Sequence, residues 1–166
     1  MKYWQAFLFY LGALLLQPFL YGTIPVVATH LNLILCLTVI FTFVYDDILP
    51  GLFFGPIFGL INDAMYAPYF GPEAFTIALV GVLVYIGKIY FNIENILNAI
   101  ITMVVSTWLF VSVLWAVYYF ADSPYSYVFA LKELPLQLVL NTVTGTILYS
   151  VLIKKIVKKR KYRYFR

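Results

Sequence analysis

Long apolar runs, separated by short polar or turn-forming breaks, set the rhythm of this chain. The runs fall at residues 3–20, 31–44, 48–62, 74–90, 96–120 and 134–157. Gln17-Pro18 and then Tyr21-Gly22-Thr23-Ile24-Pro25 close the first, and Asp46-Asp47 stops the second. The third is rich in glycine and ends near Asp63, with Pro68, Gly71 and Pro72 beyond it. Asn92-Ile93-Glu94-Asn95 breaks the fourth, and Asp122-Ser123-Pro124 ends the fifth, which carries no charge. The sixth follows Lys132-Glu133 and enters a basic tail.

A bilayer core of about 30 Å takes roughly 20 apolar residues per helical crossing. The pattern therefore predicts an all-α integral membrane protein, a bundle of six transmembrane helices over residues 1–153 with a basic tail at 154–166. The second and third runs are short or broken by Gly and Pro, so a re-entrant hairpin is the alternative there. The first run exceeds the roughly 7–15 residues of a secretory signal core, and no small-x-small cleavage site follows it, so it is expected to stay as a span.

Composition agrees with this reading. Of 166 residues, 64% are hydrophobic and 11% charged, and the mean hydropathy is +0.93. A soluble domain carries about 25% charged residues, and at about this length buries only roughly 70% of its unfolded surface. The single cysteine, Cys36, excludes an internal disulfide framework. The net charge of +4 belongs to topology rather than to nucleic acid. Eight of the eleven basic residues lie in the tail, from Lys154 to Arg166, and with six spans Lys2 and Lys88 join them on one side, leaving Lys132 opposite. That bias predicts cytoplasmic N- and C-termini. Next to an anionic leaflet each tail cation is worth about 1 kcal/mol. Tyr3, Trp4, Tyr90 and Phe91 are expected at the inner interface, and Tyr66, Tyr69, Phe70, Trp115, Tyr118, Tyr119 and Phe120 at the outer one.

Catalytic chemistry finds little to use. The one histidine, His30, is expected as a solvated or hydrogen-bonded residue near the outer entrance of the second span. No His/Cys/carboxylate cluster has metal-ligand spacing. No phosphate-binding glycine loop with its lysine occurs, and Ser106, Ser112 and Ser150 have no histidine base within a turn or two. The expectation is a non-enzyme without metal or cofactor.

The third run carries the most information. Gly51, Gly55, Gly59 and Asp63 recur every four residues, which on a 3.6-residue helix makes one gently slanting stripe. Three glycines strip that face of bulk and let another helix approach backbone to backbone, offsetting a cost of about 1 kcal/mol per glycine in an aqueous helix. Asp63 should lie about 22 Å into the crossing, at a helix C-terminus where the macrodipole disfavours an anion. It should therefore turn inward, find a donor or carry a proton. The sixth run has a second stripe, Gln137, Asn141, Gly145 and Tyr149, whose amides need partners inside the bundle or at a cavity. Thr38 with Thr42, and Thr102 with Ser106, are expected to bond back to their own helices.

With this layout the chain resembles the MreD family, the rod shape-determining membrane proteins of bacteria. That family typically shows glycine-x-x-x-glycine-x-x-x-aspartate in its third span, then a glycine loop, then small residues opening the next span. Here the match is Gly55, Gly59, Asp63, Gly71 and Ala74. The resemblance covers the whole chain in layout and residues 51–79 in sequence. It departs before the third span, where family members often carry arginines and this chain has Asp46-Asp47.

The resemblance implies a non-enzymatic scaffold of the cell-elongation complex in the bacterial cytoplasmic membrane. Its fold would be similar to the substrate-binding component of energy-coupling-factor vitamin transporters. The implied partners are the single-span protein MreC and, through it, the actin-like MreB and the wall synthases, RodA with its penicillin-binding transpeptidase. Gly51, Gly55, Gly59 and Asp63 would then seat a close helix contact, within the bundle or against a partner's span. The competing class is the transporter component itself, which needs an outward polar pocket from residues such as His30, Asn32, Glu73 and Asn141. A flippase or small channel would need pore-lining charges that the runs lack.

Overall fold

The computed structural model describes residues 3–124 and 126–164, with side chains as far as Lys154. Lys2 and the tail side chains beyond Lys154, on which the charge-bias argument draws, lie outside the described residues. The described residues form seven α-helices and no strand. These are α1 (Tyr3–Thr23), α2 (Pro25–His30), α3 (Leu33–Val44), α4 (Phe54–Tyr66), α5 (Pro72–Gly87), α6 (Ile96–Phe120) and α7 (Tyr127–Tyr164). A π-helical turn, Leu49–Phe53, leads into α4, and a 3-10 turn, Lys88–Tyr90, ends α5.

Four segments are long and apolar enough to cross a membrane: α1, Pro72–Tyr90, α6 and Tyr127–Lys154 of α7. The chain is a multi-pass membrane protein. Large apolar side chains cover its outside, and on α7 Val139, Val143, Ile147 and Val151 repeat every four residues as one exposed strip.

The edges of several runs move. The first helix does not close at Gln17-Pro18 but passes through Pro18 to Thr23. Neighbouring helices can re-satisfy the backbone that a proline frees inside a membrane protein. The last helix starts at Tyr127 and takes in Lys132, Glu133 and Pro135, so Lys132-Glu133 is not a break. Glu133 is retained there by His30 of α2. The backbone of the tail continues α7 as far as Tyr164.

The second run becomes α3, and it organises the bundle. Its 12 residues span about 18 Å, well short of a bilayer core. Every residue of it after Leu33 is buried, as expected for a helix that is apolar all round. It packs against α1, α4, α5, α6 and α7. Tyr10 of α1 is fully buried against it and shares a hydrogen bond of 3.1 Å with the Thr38 hydroxyl. The Tyr10 ring stacks on Phe58 of α4 with centroids 5.4 Å apart and meets Phe41 edge-on.

A buried helix must have its end groups satisfied by the protein. At the N-terminus the Asn32 side chain accepts from Leu35 N–H at 2.8 Å, and the Asn32 N–H donates to Asn141 Oδ1 of α7 at 2.9 Å. At the C-terminus Lys88 reaches in from the end of α5. Its Nζ donates to the carbonyls of Thr42 at 3.2 Å and Tyr45 at 2.8 Å, placing a cation on the negative end of the macrodipole.

The glycine stripe faces this pillar and α5. Pro50 and Pro56 both lack an N–H, and the chain widens between them, with Phe54 N–H reaching the Leu49 carbonyl five residues back. A Cβ at Gly51 would lie 2.8 Å from the Thr42 backbone nitrogen, and one at Gly55 would lie 2.8 Å from Thr38 Cγ2. One at Gly59 would lie 3.2 Å from Ala74 Cα of α5. Gly145 of α7 lies against Met103 of α6, where an added Cβ would fall 2.7 Å from the thioether. Of the four hydroxyls expected to bond back, Thr38 and Thr102 do so, at 2.8 and 2.7 Å. The Thr42 hydroxyl instead lies under Gly51 with no hydrogen-bond partner among the described residues.

Gly51→Ala therefore drives a methyl into α3 backbone and is expected to cost about 1–3 kcal/mol. Gly12→Ala, where nothing lies within 4 Å, should be neutral or slightly stabilising. Thermal unfolding in detergent compares the two, and equal melting temperatures would remove the stripe from the packing account.

Candidate functional site

Asp63 is the key to the α4–α5 corner. It is 1% exposed, and its carboxylate crosses to the start of α5. There Oδ2 accepts from Glu73 N–H at 3.0 Å and from Ala74 N–H at 3.1 Å. Gly71, the residue that precedes this helix, has a left-handed φ of 108° and no side chain to offer as a cap. Asp63 supplies the missing acceptor from the previous helix. The unfavourable dipole at the end of α4 is answered by the favourable one at the start of α5.

One residue past the corner, Glu73 opens a polar network. Its Oε1 accepts from Asn32 Nδ2 at 2.7 Å and its Oε2 from Asn62 Nδ2 at 2.6 Å. Asn32 is itself fixed by its capping of α3 and by Asn141, so the carboxylate is held in place from two helices. This network borders a cavity of about 370 Å³. The cavity lies at the end of the bundle where α1 ends, α5 begins and α7 begins, opposite the end that holds Lys88. Its polar wall is Gln17, Asn32, Asn62, Glu73 and Gln137, with His30 and Thr29 beside them. Its apolar wall comes from α6, through Phe110, Leu114, Trp115 and Tyr118, and Tyr21 of α1 also lines it.

Gln17 is 8% exposed. Its Nε2 donates to the Leu31 carbonyl at 3.2 Å, while its Oε1 has no partner among the described residues. Asn62 Oδ1 is likewise unpartnered. Trp115 is braced from behind by Tyr127, with ring centroids 4.6 Å apart.

His30 is hydrogen-bonded, not merely solvated. Its Nδ1 donates to the Val26 carbonyl at 2.7 Å, and Nε2 pairs with Glu133. Burial works to lower the ring's pKa, but the Val26 carbonyl and the Glu133 carboxylate outweigh it and hold His30 above the usual histidine range. Among the described residues, no group of three or more His, Cys, Asp or Glu could hold a metal ion.

The residues singled out from sequence therefore separate. Gly51, Gly55, Gly59 and Asp63 form an internal packing and capping seam. Gln137 faces the cavity, Asn141 stands behind Asn32, and Gly145 admits Met103. Gln17 and Asn62 were legible only as breaks, and Trp115 and Tyr118 only as interfacial anchors. An amide in the middle of an apolar run was the available signal at Gln17, because hydrocarbon leaves such a group without partners. Set against protein-family models, characterised proteins and solved structures, the chain matches none of them.

Two outcomes follow from this geometry. Asp63→Ala should cost about 1–2 kcal/mol, the range for a lost helix cap, and speed hydrogen exchange at the Glu73 and Ala74 amides. Asp63→Asn, which keeps one acceptor, should lose less. Because the folded-state pKa of His30 is raised, its pairing stabilises the protein fully below about pH 6.5, the unfolded value. That stability fades as pH climbs through the higher folded value. Melting temperature should fall across that window in the wild type, and His30→Gln should flatten the curve.

Proposed function

We propose that this chain is a non-enzymatic scaffold of the MreD type in the bacterial cytoplasmic membrane, crossing it six times with both termini inside. In this reading α3 and α4 fill the second and third crossings, with α3 screened from lipid by its neighbours. The observation that carries the proposal is the three-dimensional unity of the motif. Gly59, Asp63, Gly71 and Ala74, spread over two helices and a loop, meet at the α4–α5 corner, while Gly55, one turn before Gly59, packs on Thr38 of α3. A motif four of whose five members serve one joint supports the family resemblance better than scattered matches do. Its partner would be an MreC-like single-span protein, linking the bundle to MreB and the wall synthases. Since the glycine seam is filled from within the bundle, that partner would use the outer helix faces.

A second reading rests on the cavity. A concave site with a few convergent polar groups and aromatic walls is what a small-molecule site requires, and it favours a substrate-binding component of an energy-coupling-factor vitamin transporter. Depletion in the native bacterium separates the two. The scaffold reading expects rods to round up and an MreC-like protein to co-purify. Unchanged shape, loss of vitamin uptake and co-purification of an ATPase pair would replace it with the transporter reading.

A further inference from the structure

We propose that the cavity bordered by Glu73 and Gln17 binds an organic ammonium group, carried by a free amine or by a lipid headgroup. The inference is independent of the scaffold reading, which makes no use of the cavity. It starts from the charge of the wall, whose amides are neutral. Glu73 adds a carboxylate whose hydrogen-bond partners are neutral amides. The ion pair of His30 with Glu133 keeps that imidazole occupied elsewhere.

A wall with one carboxylate, and no Lys or Arg among its lining residues, selects a positively charged ligand. An anionic ligand would face Glu73 without a counter-charge. A bare metal ion, which wants several oxygen ligands, is less suited, since Glu73 is the one carboxylate in the lining. Trp115 and Tyr118 instead present aromatic rings, the surfaces that attract an alkylated ammonium. A volume of about 370 Å³ admits a small molecule or headgroup. Glu73 is also preorganised, since Asn32 and Asn62 fix both of its oxygens and leave each a further lone pair.

The test uses the purified full chain in detergent, titrated with choline and with ethanolamine while Trp fluorescence or heat is recorded. The neutral isostere 3,3-dimethylbutan-1-ol is titrated alongside. Expected is saturable binding of at least one ammonium compound, at least tenfold tighter than the isostere. Glu73→Gln should weaken that binding at least tenfold. In a parallel arm, native mass spectrometry after exchange into phosphatidylethanolamine or phosphatidylglycerol bilayers reads the lipid source. Retention of phosphatidylethanolamine alone, lost in Glu73→Gln, assigns the headgroup. Free amine binding without lipid preference assigns a soluble ligand. An isostere that binds as well as choline, or absence of both amine binding and phosphatidylethanolamine preference, overturns the proposal, and the wild-type comparison stands even if a variant fails to fold.

Discussion

A short helix buried on every side governs this structure. Helix α3 has no solvent-facing or lipid-facing stripe of its own, so its end groups cannot be left to water or to headgroups. The protein meets that demand from two other helices and the helix's own cap. Lys88, at the end of α5, takes the carbonyls at one end, while Asn141 of α7 and the Asn32 cap satisfy the other. Those same contacts fix where α5 and α7 stand around the pillar. Satisfying a hydrogen-bond requirement thus also sets the arrangement of the bundle.

Close approach to the pillar requires small surfaces, and the glycines provide them. Gly51 and Gly55 press against Thr42 and Thr38 of α3, Gly59 against Ala74, and Gly145 against Met103. In a membrane the hydrophobic effect does little to drive helices together, so contact of this kind and internal hydrogen bonds supply the association. The Asp63 joint belongs to the same economy of space. Gly59 lets the start of α5 come near enough for a carboxylate on α4 to reach its first amides.

The cavity is a by-product of that same construction, made at the end of the bundle where α3 stops short. With the pillar ending at Leu33, the neighbouring helices continue past it, and the space above is lined by the groups that cap it. Asn32 both closes α3 and holds Glu73, so the fold's internal capping and the proposed ligand site share a residue. The seam below and the pocket above divide the polar residues of the chain between structure and binding.

Much of this was open to a reading of the residues alone. Run length and apolarity determined a lipid-embedded helical protein, and the uncharged stretch Ile96–Phe120 marked α6 residue for residue. The four-residue spacing of glycine determined that some backbone must come close, and the position of Asp63 that it must find donors. Which backbone and which donors were decided only by tertiary packing. Periodicity assigns residues to a face but carries no record of what lies across from it. Asn32 with Glu73, Asn62 with Glu73 and Gln17 at one cavity are brought together from three helices and one connecting turn by the burial of α3. The helix boundaries at Pro18 and Lys132-Glu133 were misplaced for the same reason. A proline or an ion in an apolar run reads as a break until a neighbouring element is seen to satisfy it.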